Sequence, residues 1–154
     1  MLDALQAWIP LLKLVHILSV IVAVGANVTY AFWLRAAGRD RERILFAIAG
    51  VRTLDRRLAN PAYGLVLVSG LLMVLSGAYS FEEGWIATAI VLYVIVAALG
   101  IAVFAPAIRR QLAEAERDPA GAAYGAAAAR TQQLGWLTVG VVAVIVILMV
   151  TRPF

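Results

Sequence analysis

Of the 154 residues, 64% are hydrophobic and 14% charged, where a soluble domain holds about 45–50% and about 25%. With a mean hydropathy of +0.92, the chain has room for four bilayer-spanning blocks of about 20 residues and little else. This excludes a nucleotide-binding fold, a soluble catalytic domain and a secreted disulfide scaffold, and predicts a single integral membrane domain over residues 1–154. Having no cysteine, the chain also lacks disulfides, thiolate metal sites, iron–sulfur ligation and thiol catalysis. The net charge of +4 is read as membrane topology, with no nucleic-acid partner, because in such a chain the placement of the basic residues carries the information.

The first apolar block covers residues 8–34, interrupted by Lys13, His16, Ser19, Asn27 and Thr29. Its basic flank (Arg35, Arg39, Arg41, Arg43) lies on the C-terminal side, the reverse of a cleavable signal peptide, so the block is expected to be kept. The second, residues 61–79, starts at Asn60-Pro61, where Asn is suited to cap a helix and Pro to its first turn. The third covers residues 85–105 and the fourth residues 135–150. No period-two alternation competes, so the fold class is all-α, a four-transmembrane-helix bundle.

Orientation follows from the connections. Residues 35–60 carry seven arginines and residues 106–134 four, whereas the turn around Glu82-Glu83 carries none. The positive-inside rule puts both arginine-rich connections in the cytoplasm and both termini outside. Trp8, Trp33, Trp85 and Trp136 fall one at an edge of each span, as interfacial belts do. Within the first connection Ile44, Ile48, Val51, Leu54 and Leu58 follow helical spacing, which predicts an amphipathic cytoplasmic helix between helices 1 and 2, lying on the inner leaflet. Asp55 falls on its apolar stripe, with Arg52 or Arg35 as expected partner. In the second connection Arg110 and Glu114 extend the third helix, Asp118-Pro119 stops it, and the Ala-rich run after Pro119 leads into the fourth span.

In lipid, helices are held by close packing and polar contacts. Gly25, Thr29, Ser69, Gly70, Gly77 and Gly140 are candidate packing positions, and Asn27, Ser76, Thr88, Tyr93 and Thr138 candidate polar contacts. The one lysine and the one histidine, Lys13 and His16, stand three residues apart on the first span. Ala23, Asn27 and Tyr30 continue that face, and Lys13 to Asn27 covers about 21 Å of helix. Intramembrane ionisable groups often mark function, so His16, Lys13, Asn27 and Tyr30 are the candidate cofactor-binding residues, with His16 as candidate metal ligand. The competing readings are an anchoring Lys13, an Asn27 that only pairs helices, and a buried His16 hydrogen-bonded without a ligand. One histidine cannot supply two haem ligands within one chain or tetrahedral zinc, no span holds a carboxylate for a proton relay, and a Ser-His-Asp triad lacks its acid. Catalysis is therefore not expected. The candidate functions are binding of a haem, porphyrin, quinone or metal on the His16 face, an accessory subunit of a larger membrane complex or homo-oligomer, and, ranked lower, a small transporter or channel.

The strings Lys13–Ser19 and Gly25–Arg35, then Asp55-Arg56, Asn60–Gly64 and Ser69-Gly70, resemble an uncharacterised bacterial family of predicted integral membrane proteins, labelled a domain of unknown function. The resemblance implies a four-helix bundle of the bacterial inner membrane without an assigned activity. More distantly, a first-helix histidine in a four-helix membrane protein is similar to the CopD-like copper-resistance group and the HemJ-type protoporphyrinogen oxidases. The resemblance to the latter implies a haem associated with His16.

Overall fold

In the computed structural model, which describes residues 6–154, six α-helices are placed among the described residues: α1 (Ile9–Ala36), α2 (Arg41–Leu54), α3 (Asn60–Leu75), α4 (Gly84–Leu99), α5 (Ala105–Arg117) and α6 (Ala122–Thr151). No strand occurs among the described residues. Two π-helical turns, Asp55–Ala59 and Gly100–Phe104, join α2 to α3 and α4 to α5 without a break. Arg41–Leu75 and Gly84–Arg117 are thus continuous helices. With α1 and α6 they make four that are long and apolar enough to cross a membrane.

Both π-turns precede a proline, Pro61 and Pro106. Inside an ordinary α-helix each ring would press on the carbonyl four residues back. Here the Asn60 N–H reaches the Asp55 carbonyl and the Ala105 N–H reaches that of Gly100, five residues back in each case. The extra residue in the turn absorbs the proline. Asn60-Pro61 therefore lies within a helix, where the sequence reading placed a helix start capped by Asn60. The π-turn also shifts the inward face by one position. Ile44, Ile48 and Val51 are buried, but Ala59 follows them inward while Leu58 is 45% exposed.

The α2 stripe packs on protein, where a place against the inner leaflet was expected. Ile44, Ile48 and Val51 meet Ala26 and Tyr30 of α1 and Ile108 and Ala115 of α5, with Tyr124 of α6 at the edge. Ile48 is 0% exposed, and burying such a side chain contributes about 1.5–3 kcal/mol. At the α1–α2 corner Gly38, at φ 64°, leaves the helix in a conformation that side chains resist. Asp40 then caps α2 by accepting the Arg43 N–H at 2.9 Å. Arg41 Nη2 donates to the Glu116 carbonyl at 3.0 Å, tying the start of α2 to the end of α5. Both arginine-rich connections consequently lie at one end of the bundle. As read from the sequence, α5 continues the third span, Asp118 breaks out of the helix into extended backbone, and α6 runs from the Ala-rich stretch through the fourth span unbroken.

Along the spans, α1 packs on α3, and α6 runs beside α1, α4 and α5. The end opposite the two arginine-rich connections gathers Tyr79, Trp85 and residues 152–154. Trp85 N–H donates to the Phe154 carbonyl at 3.2 Å, and the Tyr79 and Trp85 rings meet edge to face with centroids 5.8 Å apart. Arg152 donates to Tyr79 Oη at 3.2 Å. Trp85 is 7% exposed, inside this cluster. It differs in this from the more exposed Trp8, Trp33 and Trp136, which suit an interfacial belt.

Candidate functional site

The buried face of α1 is His16, Ser19, Ala23, Ala26 and Tyr30, spaced three and four residues apart. Opposite it, α3 presents Ala62, Val66, Ser69 and Met73. Small residues on both sides let the backbones approach, as helix pairs in lipid require. The closest approach lies under the imidazole. A Cβ added at Gly70 would stand 3.2 Å from His16 Cε1, so the ring rests where a side chain would otherwise be.

His16 Nδ1 lies 3.0 Å from Ser69 Oγ. The Ser69 hydroxyl has one proton, and it is directed at the Leu65 carbonyl of its own helix. With that proton given to the carbonyl, Ser69 Oγ accepts from His16 Nδ1–H, and in the neutral ring this leaves the lone pair on Nε2. In the neutral ring the hydroxyl thus selects the Nδ1–H tautomer of the chain's one histidine.

Asn27 belongs to a second cluster, about 16 Å along α1 from His16. Its side-chain amide donates to Tyr63 Oη, and Tyr93 Oη donates to the Tyr63 carbonyl at 2.8 Å, so α1, α3 and α4 meet there. Tyr30 lies beside this cluster at 5% exposure, and its hydroxyl has no partner among the described residues. Asp55, on the π-turn, stands near enough for its charge to act on Tyr30 and Tyr63. It accepts a hydrogen bond from Asn60 Nδ2 at 3.2 Å, where the sequence suggested Arg52 or Arg35. Burial pushes the Asp55 carboxyl pKa up, and the Asn60 hydrogen bond opposes that shift.

Lys13 turns out of the bundle. It is exposed, with Nζ 5.5 Å from the centroid of the Tyr79 ring, a cation–π contact at the end opposite the arginine-rich connections. The predicted polar face is thus divided three ways: Lys13 on Tyr79, His16 on Ser69 and Gly70, Asn27 and Tyr30 around Tyr63. Of the packing candidates, Ser69 and Gly70 form the interface. At Gly25 and Gly140 an added Cβ would meet nothing within 4 Å, and Thr29 is exposed and bonds back to the Ala26 carbonyl at 2.7 Å. Gly77, at φ 77°, ends α3. Ser76, Thr88 and Thr138 bond carbonyls of their own or adjoining turns, at 2.8, 2.8 and 3.0 Å, so among the polar candidates Asn27 and Tyr93 join helices.

Two interior polar side chains were not singled out from the sequence. Tyr63 is the hub of the second cluster, and a one-turn offset from Ala59 and Val66 on the buried face was its signal. Gln111, 1% exposed with Oε1 unpaired among the described residues, sits on the inward face of α5 between Ile108 and Ala115.

No group of three or more His, Cys, Asp or Glu side chains suited to a metal ion occurs among the described residues. No curated protein and no solved structure matches the chain. The family model described as "Predicted integral membrane protein (DUF2269)" matches residues 10–153, spanning all four membrane-crossing helices, and the chain belongs to this family of integral membrane proteins.

Proposed function

We propose that the chain is a multi-pass, single-domain protein of the bacterial inner membrane, with both termini outside and residues 35–60 and 106–134 in the cytoplasm, acting by association as a homo-oligomer or as a subunit of a larger membrane complex. The positive-inside rule supports the orientation, since both arginine-rich connections share one end of the fold. The observation that carries the functional reading is the commitment of the chain's one histidine to holding α1 on α3. Its Nδ1 is bonded to Ser69 at 3.0 Å and its ring is seated on Gly70, so the group best suited to chemistry is engaged in packing two helices of the chain together, which favours a role by association over catalysis. Mild solubilisation of native membranes tests this: the chain should migrate in an assembly larger than its own 16.5 kDa, and recovery as a free monomer contradicts it.

A second reading rests on His16 Nε2. Imidazoles that ligate metals typically donate their other N–H to an oxygen, as His16 does to Ser69. A single imidazole donor is compatible with a haem, whereas the isolated donor does not fit a bare metal ion. A bound haem would supply redox chemistry, and His16, oriented by Ser69, would be the residue to hold it. Haem titration decides this: a Soret band that forms with the wild type and not with His16→Ala supports the reading, and a featureless spectrum removes it.

A further inference from the structure

Two grooves open at the arginine-rich end. One, of about 490 Å³ between α1 and α2, is lined by Trp33 and Phe46 and carries both Glu42 and Arg43, so its charge is balanced. The other, of about 250 Å³ between α5 and α6, is lined by Arg110, Arg130, Val103, Pro106, Ala107 and Ala127, with no acidic residue in its wall.

By their places along the two helices, the two arginines belong at one depth. Arg110 lies five residues beyond the end of the third apolar block and Arg130 five residues before the start of the fourth. Five helical residues rise about 7.5 Å. The headgroup layer outside the hydrocarbon is about 5–8 Å thick on each side, so both cations fall at the level of lipid phosphates. Below them Val103 and Pro106 line the groove where acyl chains begin. Alanine walls keep the cleft open between the helices, and the arginines, one from each helix, flank it.

From this arrangement we infer that the α5–α6 groove is a binding site for an anionic phospholipid, its phosphate held between Arg110 and Arg130 and its proximal acyl chain against Val103 and Pro106. A basic pocket between transmembrane helices is a recognised setting for such headgroups. Planar guanidiniums also match a phosphate in two-point contacts. The inference depends on charge and depth and not on which leaflet the arginines face. It stands apart from the assembly reading, because occupancy is measured on the purified chain.

The test is native mass spectrometry of the full chain in neutral detergent, with phosphatidylglycerol or phosphatidylcholine added. The wild type should retain phosphatidylglycerol over phosphatidylcholine, and each of Arg110→Gln and Arg130→Gln should weaken that preference about fivefold. Arg43→Gln, in the charge-balanced groove, should leave it unchanged. Arg110→Gln with Arg130→Gln should abolish it, and Arg110→Lys with Arg130→Lys, which keeps both charges, should keep a reduced preference and guards against a Gln pair that fails to fold. Equal retention of the two lipids by the wild type overturns the inference. So does a folded Gln pair that keeps the preference, a folded Lys pair that loses it entirely, or glycerol phosphate displacing the lipid at equal concentration.

Discussion

The arginine-rich end and the middle of the bundle are built by different physics. At the arginine end, Ile44, Ile48, Val51 and Ile108 are buried against each other, as in a water-soluble core. In the spans the α1–α3 seam buries the small and polar His16, Ser19, Ala23, Ala62 and Ser69 beside Val66 and Met73, and many large aliphatics such as Ile21, 61% exposed, face outward. Where water is near, removing apolar area from it drives packing. Where lipid is the solvent that drive vanishes, and close approach with a few hydrogen bonds takes its place. The boundary lies near the Asp55–Ala59 turn, where one continuous helix passes from the first regime to the second.

The contrast is broken most strongly by moving the same chemistry between the two regions. Ile48→Ala should destabilise the protein by about 2–5 kcal/mol, while Ile21→Ala should change it by less than about 0.5 kcal/mol. Denaturant unfolding in detergent checks both, and equal losses would erase the distinction. In the spans, Gly70→Val should cost about 1–3 kcal/mol, because its side chain must displace the imidazole. The same change at Gly25, where space is open, should cost less. A double-mutant cycle of His16→Ala and Ser69→Ala should give a coupling of about 0.6–1.7 kcal/mol, the range for hydrogen bonds between membrane helices.

The smallest effect concerns pH. Because burial raises the Asp55 carboxyl pKa above its ordinary 3.8, the folded chain holds that proton to higher pH than the unfolded one. Stability from this group is full below the ordinary value and is lost as pH rises through the folded one. Stability should therefore decline as pH rises above about 4, and Asp55→Asn should flatten the decline. A slope of opposite sign, or one unchanged in the variant, contradicts the burial of this carboxyl.

Much of this division was legible in the residues. Runs of apolar residues gave the spans, Ile44, Ile48 and Val51 gave the face of α2, and Asp118-Pro119 marked the break before α6. Hidden was whatever depends on a partner distant in sequence. Asn60-Pro61 reads as a start because proline normally interrupts a helix, and only the five-residue reach from Asn60 N–H to Asp55 shows how the helix survives. Periodicity put His16 and Asn27 on one face, yet it could not reveal that Ser69 takes one and Tyr63 the other, 53 and 36 residues away. Lys13 was separated from its neighbours by the Tyr79 ring, which lies past the end of α3 and has no helical register to α1.

The central claim is that the α1–α3 pair is held in lipid by an imidazole whose tautomer Ser69 fixes. Since the chain holds one histidine, nitrogen-15 magnetic resonance of histidine-labelled protein in bilayers reads that group alone. The expected result is a proton on Nδ1, with the Nδ1 resonance moved by Ser69→Ala. A ring protonated on Nε2 alone, or an Nδ1 resonance indifferent to Ser69, would contradict it.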